Sequence, residues 1–276
     1  MPQLMTVPAV RARKASPTGG GAPAGDPLVM VTAYDAPSAR IADEAGVDMV
    51  LVGDSVATVV LGLDDTLHVT VDDMVHHTSA VARARPRALV VADLPWLSYH
   101  LSAADTVANA GRLVRAGAKA VKLEGGAKRV PMVSALVDAE VAVMGHVGLT
   151  PQSVNLMGGY RVQAQDAAAA EAVLDDAVAL AEAGCFAIVV EGVPDTVARM
   201  VTEAVPVPTI GIGAGPWCDG QVLVLHDLLG LDAGIAPRFV RRYADLHAGA
   251  VAAVSAFAAD VRARRFPSDE ETYHLS

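Results

Sequence analysis

Six short apolar runs along this chain each end in an acid or a histidine. A continuous apolar run is typical of a strand buried on both faces, as in a parallel sheet covered by helices. The segments between the runs are alanine-rich and helical in pattern, which indicates repeated βαβ units. The runs end at Asp35, Asp54, Asp93, Glu124, His146 and Glu191.

The positions of three glycines favour the same architecture. Gly46, Gly117 and Gly184 each follow a helical segment and directly precede an apolar run. This is the position where a helix ends in a left-handed cap. Two further runs, one of them Val222–His226, bring the predicted strands to eight, although the leucines of Val222–His226 are equally compatible with a helix. Eight strands favour a single-domain α/β (β/α)8 TIM barrel over an open doubly wound sheet.

Domain boundaries follow from the same patterns. We expect residues 1–26 to form a flexible N-terminal segment, because Ser16–Gly25 is rich in glycine and proline. Residues 27–265 then form the barrel domain, with a helix over Leu246–Ala263. Residues 266–276 form a polar, acidic C-terminal tail.

Composition narrows the function classes. The chain has 276 residues, is 53% hydrophobic and carries a formal net charge of −10, which argues against a nucleic-acid-binding surface. No apolar stretch reaches the roughly 18 residues of a membrane-spanning helix. The two cysteines, Cys185 and Cys218, lack the spacing of a metal site or a disulfide framework. We expect both to be buried free thiols, which fits a cytoplasmic protein.

Three of the strand-end acids suggest a metal site. In a parallel barrel the carboxyl ends of all strands open on one face, so Asp54, Asp93 and Glu124 converge there. Buried carboxylates need a cation, and hard oxygen ligands suit Mg²⁺. The alternative is that each acid caps the following helix, but three acids at equivalent positions favour the metal. Asp35 has no assigned chemistry and is interpreted as structural.

Lys122 and His146 are candidates for substrate binding. Lys122 lies two residues before Glu124 and so points to the same side of its strand. It offsets the carboxylates, binds an anionic substrate, or does both. A histidine after an apolar run is more often structural, but Gly145 and Gly148 allow a close approach of backbone to a ligand. We therefore favour substrate contact for His146.

Glu191 is the candidate general base. It follows an apolar run and precedes Gly192, which predicts a desolvated carboxylate suited to proton transfer. A helix cap or a salt bridge is the alternative. The segment Gly211–Gly215 lacks the spacing of a dinucleotide-binding loop, and we interpret it as a tight strand end.

Specific motifs then connect the chain to a known family. Collinear segments spread over most of the sequence resemble those of the ketopantoate hydroxymethyltransferases, and the His-Val-Gly-Leu-Thr-Pro-Gln run is the most specific of them. The matching segments are Thr32–Asp35, Leu51–Ser55, Ala92–Pro95, Val121–Gly126, Gly145–Asn155, Gly158–Tyr160, Gly211–Gly215 and Asp219–Asp227.

The resemblance implies a (β/α)8 barrel of the phosphoenolpyruvate mutase/isocitrate lyase superfamily. It also implies a homo-oligomer, with a decamer suspected, and 5,10-methylenetetrahydrofolate as co-substrate. The residue roles that it implies are Mg²⁺ binding by Asp54, Asp93 and Glu124, binding of the 2-oxo acid by Asp54, Ser55, Asp93, Lys122 and His146, and proton abstraction by Glu191.

The activity implied by the resemblance is transfer of a hydroxymethyl group to 3-methyl-2-oxobutanoate, giving 2-dehydropantoate for pantothenate and coenzyme A biosynthesis. The expected chemistry passes through a metal-stabilised enolate. Two alternatives remain. A related lyase or mutase would carry a lysine-lysine-cysteine-glycine-histidine loop, which this sequence lacks. A barrel that binds without turnover would not need Glu191.

Overall fold

Eight parallel strands close into a barrel, which confirms the predicted (β/α)8 fold. The computed structural model describes residues 4–14, 26–232, 234 and 237–275. Each strand pairs with the next in sequence, and β8 pairs with β1 to complete the ring. The strands are β1 (Leu28–Thr32), β2 (Met49–Val52), β3 (Leu89–Asp93), β4 (Ala120–Lys122), β5 (Val143–Gly148), β6 (Ala187–Glu191), β7 (Thr209–Ile212) and β8 (Gly220–Leu223).

Helices alternate with the strands, as the alanine-rich segments predict. The glycines expected to end three of them, at positions 46, 117 and 184, all have a positive φ angle. The helices are α1 (Val7–Arg11), α2 (Ala36–Glu44), α3 (Val56–Val59), α4 (Val71–Arg83), α5 (Ala103–Ala116), α6 (Val130–Asp138), α7 (Val154–Met157), α8 (Ala167–Glu182), α9 (Asp195–Ala204), α10 (Leu225–Leu229) and α11 (Leu246–Arg262).

The barrel interior is filled by residues that alternate along each strand. Leu28 and Met30 of β1, like Leu89 and Val91 of β3, belong to one buried apolar cluster, because residues two apart point to the same face of a strand. Val10 of α1 is fully buried in this cluster. Packing of α1 against the barrel core therefore brings an N-terminal helix into the fold.

This helix differs from the expectation of a flexible segment over residues 1–26. Thr6 caps α1 by accepting a hydrogen bond from the Ala9 N–H at 3.3 Å. Burial of Val10 supplies the tertiary packing that so short a helix needs. Residues 1–3 and 15–25, which include most of the predicted flexible stretch, lie outside the described residues.

The eighth strand is shorter than predicted. It ends at Leu223, and α10 begins at Leu225, so His226 lies in a helix and not at a strand end. The Leu225 N–H donates a hydrogen bond to Thr32 Oγ1 at 3.0 Å. Val222–His226 was compatible with either a strand or a helix, and it contains the end of one and the start of the other.

The chain divides into two compact units, residues 1–225 and 226–276. The first contains the complete barrel, and the expected boundary at residue 265 stays a prediction. The second contains α11, which bears out the predicted helix and has no buried residue. Within the described ranges, no helix is long and apolar enough to cross a membrane. Cys185 and Cys218 are buried free thiols, as predicted.

Candidate active site

The barrel brings the predicted site residues to one face. Strands β2 to β6 are consecutive neighbours, so their carboxyl ends lie side by side. The residues placed there are Asp54 and Ser55 just after β2, Asp93 at the end of β3, Lys122 and Glu124 at the end of β4, His146 within β5 and Glu191 at the end of β6.

Asp54, Asp93 and Glu124, which with Lys122 and His146 form the buried cluster of the site, do not cap helices. The helices that follow β2 and β3 begin after Ser55 and Ser102, and the short 3₁₀ turn after β4 begins after Gly126. The capping alternative is therefore wrong for Asp54, Asp93 and Glu124. Asp35, in contrast, is the N-cap of α2 and accepts a hydrogen bond from the Ser38 N–H at 2.8 Å, which supports its structural role.

Lys122 is the central cation of the cluster. Its side chain is 4% exposed, and its Nζ lies 3.0 Å from Asp93 Oδ1 and 4.0 Å from Glu124 Oε1. Burial lowers the pKa of a lysine, but the charges of Asp93, Glu124 and Asp54 outweigh it and raise the pKa of Lys122 above its ordinary value. Lys122 is therefore charged, and it offsets the buried acids as expected.

His146 lies between two glutamates. Its Nδ1 is 3.5 Å from Glu124 Oε1, and its Nε2 is 3.1 Å from Glu191 Oε2. Burial and the Lys122 ammonium, 3.3 Å from Nδ1, lower the pKa of His146. The two glutamates outweigh them and raise this pKa to about 9. At neutral pH the ring is therefore an imidazolium that links Glu191 to the buried cluster.

In addition to these ion pairs, each of the three acids accepts a hydrogen bond from a backbone N–H or an amide. The Asp54 N–H donates to Asp93 Oδ2 at 3.0 Å. Gln152 donates from its side-chain Nε2 to Asp54 Oδ2 at 2.8 Å and from its backbone N–H to Glu124 Oε2 at 2.9 Å. Sequence reasoning missed Gln152. Its presence in the Gly145–Asn155 motif was the available signal.

The pKa values of the three carboxyl groups are shifted in different directions by their neighbours. Burial raises the pKa of Asp54 well above its ordinary value, and the charges of Asp93 and Glu124 raise it further. Burial also raises the pKa of Asp93, although Lys122 opposes it. Burial would raise the pKa of Glu124 as well, but hydrogen bonding and the charge of His146 hold it below the ordinary value. Burial therefore outweighs the charge of Lys122 at Asp54 and Asp93, whereas His146 and Lys122 outweigh burial at Glu124.

The donor set fits Mg²⁺ held by two of these acids. Across the described part of the chain, no group of three or more His, Cys, Asp and Glu side chains is arranged to hold one metal ion. Mg²⁺ is usually bound by one or two carboxylates, with water and substrate oxygens completing the shell. Asp54 and Asp93 are both buried and lie next to each other, since the Asp54 N–H contacts Asp93 Oδ2 at 3.0 Å. Direct ligation by Glu124 stays a prediction.

Ser55 is oriented by a tyrosine that sequence reasoning also missed. The Tyr34 hydroxyl lies 2.9 Å from Ser55 Oγ, within hydrogen-bond distance. A side chain at Gly53 would displace the Ser55 hydroxyl, because a Cβ would lie 2.8 Å from Ser55 Oγ; it would also lie 3.6 Å from Asp93 Oδ2. Ser55 therefore lies next to the acidic cluster, where a 2-oxo acid is expected.

The glycines around His146 serve packing within the barrel wall. A Cβ at Gly145 would lie 2.9 Å from Leu180 Cδ1 of α8. Gly148 has a φ of +91°, and a Cβ there would lie 2.3 Å from the carbonyl oxygen of Glu191. Both glycines let α8 and the end of β6 approach β5, and the expected approach of their backbone to a ligand stays a prediction. Contact of His146 with a substrate stays a prediction.

Several solved structures have the same barrel fold as this chain. The chain is similar to 2,3-dimethylmalate lyase, described as a PEP mutase/isocitrate lyase superfamily member, with a TM-score of 0.59, 19% identity and coverage of 97% of this chain and 91% of that one. Phosphonopyruvate hydrolase, solved with oxalate and Mg²⁺, gives a TM-score of 0.59 at 16% identity, covering 98% and 93%. These likenesses show the fold.

Sequence comparison identifies the family. Residues 21–269 match the family described as ketopantoate hydroxymethyltransferase. Two relatives named 3-methyl-2-oxobutanoate hydroxymethyltransferase are similar: that of Methylobacterium sp. (strain 4-46) is 58% identical, covering 90% of this chain and 86% of that protein. That of Moorella thermoacetica is 57% identical, covering 90% and 93%. The chain belongs to the ketopantoate hydroxymethyltransferase family, and it is a transferase.

Proposed function

We propose that this enzyme transfers a hydroxymethyl group from 5,10-methylenetetrahydrofolate to 3-methyl-2-oxobutanoate, giving 2-dehydropantoate for pantothenate and coenzyme A biosynthesis. Family membership and the names of the relatives support the activity. In the overall reaction, the folate supplies the methylene carbon, water supplies the hydroxyl group, and tetrahydrofolate is released. The C3 hydrogen of the oxo acid is replaced by the new carbon–carbon bond.

The proposed mechanism rests on the position of Glu191. Its side chain is 15% exposed, whereas the side chain of His146 beside it is 3% exposed. Glu191 is thus the most exposed acid of the cluster and lies nearest the barrel mouth. We assign it as the base that removes the C3 proton, with the imidazolium of His146 holding its Oε2 in place at 3.1 Å.

The buried groups bind the other end of the substrate. Lys122 and Ser55 provide donors for the oxo acid, whose carboxylate and keto oxygens need positive partners. Bound Mg²⁺, held by Asp54 and Asp93, would stabilise the negative charge that develops on the keto oxygen. Because the cluster excludes water, these charges act in a medium of low dielectric constant.

Hydrogen exchange tests the base directly. We would incubate the enzyme with Mg²⁺ and 3-methyl-2-oxobutanoate in D₂O and follow the C3 proton by NMR, with and without folate. We expect metal-dependent exchange in the wild type and none in Glu191→Gln. Glu203→Gln is the matched control, since Glu203 lies on the following helix α9 in an exposed pair with Arg199, and it should exchange normally.

The opposite results are equally informative. If bound oxo acid shows no exchange even with folate present, the enolate mechanism is wrong. If Glu191→Gln exchanges at the wild-type rate, another group is the base. A barrel that binds without turnover would also give no 2-dehydropantoate with the complete substrate pair.

We also propose that the enzyme is a cytoplasmic homo-oligomer. The 17 residues of α11 include none that are buried, and Val251, Val254 and Phe257 on it are each more than half exposed. Such a helix is typical of a subunit interface. Light scattering on the purified protein tests this proposal, including the suspected decamer. A monomer at micromolar concentration would contradict it.

A further inference from the structure

A buried amide links two acids of the active-site cluster. Gln152 is 5% exposed. Its Nε2 donates a hydrogen bond to Asp54 Oδ2 at 2.8 Å, and its backbone N–H donates to Glu124 Oε2 at 2.9 Å. These donors come from a residue 98 positions beyond Asp54 in the chain, so only the folded barrel joins them.

The Gln152 amide has one possible orientation. Its Nε2 also donates to the carbonyl oxygen of Leu94 at 3.0 Å, which can only accept. The Tyr99 hydroxyl donates to Gln152 Oε1 at 2.6 Å. A flipped amide would turn its oxygen towards the Leu94 carbonyl and the Asp54 carboxylate, which are both acceptors. The amide donors are therefore committed to Asp54 and Leu94.

Tyr99 completes this arrangement from the other side. It is 1% exposed, and its hydroxyl oxygen accepts a hydrogen bond from the Glu124 N–H at 3.2 Å. Its single proton is thus free for Gln152. The hydroxyl therefore accepts from Glu124 and donates to Gln152 at the same time. The Tyr99–Gln152 pair therefore contacts Glu124 at two places and Asp54 at one.

We propose that Gln152 and Tyr99 are positioning residues for Mg²⁺: Gln152 holds Asp54 Oδ2 so that the other oxygen of Asp54 is presented to the metal ion, and both residues fix Glu124 beside it. The inference rests on the magnesium site of the proposed function. Hydrogen bonds that orient metal-binding side chains commonly contribute about 10- to 100-fold to metal affinity. The two residues act through the acids and contact no reacting atom.

Two substitutions distinguish the contribution of the Gln152 amide from that of the Tyr99 hydroxyl. Gln152→Met keeps the length of the side chain and the backbone N–H that contacts Glu124, but removes both side-chain donors. Tyr99→Phe removes only the hydroxyl. The controls are Gln165→Met and Tyr243→Phe, because both residues are exposed and belong to no contact of the cluster.

The test is a calorimetric titration of the metal-free enzyme with Mn²⁺ and with Mg²⁺, in the absence of substrate. We expect the metal Kd of Gln152→Met to rise about 10- to 100-fold, with a smaller rise for Tyr99→Phe. The double variant should lose less than the product of the two effects, because Tyr99 acts through Gln152. Thermal unfolding in EDTA monitors folding separately, and a purely structural role would lower stability without changing the Kd of the folded protein.

The outcomes distinguish this inference from the metal site itself. Unchanged Kd values in Gln152→Met and Tyr99→Phe, with binding lost in Asp54→Asn and Asp93→Asn, would overturn the positioning role and leave the site intact. A wild type that binds neither ion, or Asn variants that bind normally, would overturn both. If Gln152→Met does not fold, Tyr99→Phe decides by the same Kd criterion.

Discussion

Removal of Lys122 tests how the buried acids are stabilised before any metal binds. The substitution Lys122→Met keeps an apolar chain of similar length but removes the ammonium group that lies 3.0 Å from Asp93 Oδ1. Both side chains are at most 4% exposed, so water cannot replace the lost charge. We expect a large loss of stability in the metal-free protein.

The distances set the size of the effect. With an effective dielectric constant of about 20, the attraction to Asp93 at 3.0 Å is about 5.5 kcal/mol and that to Glu124 at 4.0 Å about 4 kcal/mol. The cost of burying Lys122 offsets much of this. Removing one partner of a buried ion pair typically lowers the free energy of unfolding by about 3–5 kcal/mol. The melting temperature should then fall by roughly 6–20 °C.

Denaturation in EDTA at several pH values is the assay. The loss should be larger at pH 8 than at pH 5, because protonation of the acids at low pH relieves their repulsion. Adding Asp93→Asn to Lys122→Met should restore part of the stability, since it removes the unpaired charge. Lys119→Met, at an exposed position near the start of the same strand, should change stability by less than about 0.5 kcal/mol. A loss below about 1 kcal/mol for Lys122→Met, or no recovery in the double variant, would refute this account.

Three further predictions concern single residues. The pKa of His146 in the folded state is about 9, above its ordinary value. The stability that its protonation adds to the fold is therefore complete below about pH 6.5 and is lost as the pH rises through 9. Melting temperatures measured over this pH range should show the fall, and His146→Asn should make the melting temperature less dependent on pH. Asp35→Ala should cost about 1 kcal/mol through loss of the α2 cap with unchanged kcat, as urea titration and kinetics will show; a lower kcat would contradict the structural role. Gly53→Ala places a Cβ 2.8 Å from Ser55 Oγ and should lower kcat/KM by about 10- to 100-fold, whereas Gly249→Ala, with open space around it, should be neutral.

Much of the site was predictable because strand ends carry a strong local signal. A buried strand in a parallel barrel has a continuous apolar sequence, so a charged residue such as Asp93 or Glu191 at its end is easily recognised. Barrel geometry then places all such residues on one face. Asp35 was interpreted as structural because no chemical role was assigned to it, and it proves to be a helix cap.

The missed residues lack such a signal. Gln152 and Tyr99 are uncharged and lie beyond strand ends, where no hydrophobic period places them. Their partners are distant in the chain, since Tyr99 and Gln152 are 53 positions apart. The same reason explains Val10, whose burial depends on the barrel core and not on the pattern of its own short helix.

The sequence by itself therefore determined the strands, their order and the face on which the acids gather, because local apolar periodicity and the chirality of βαβ units constrain those features. The tertiary structure decided which oxygen of each acid is held and by which donor, how Lys122 and His146 share the charge, and why Gly145 and Gly148 are glycines. These features depend on distances of about 3 Å between residues far apart in the chain, and hydrogen bonds lose their strength over fractions of an ångström. Only the closed barrel sets such distances.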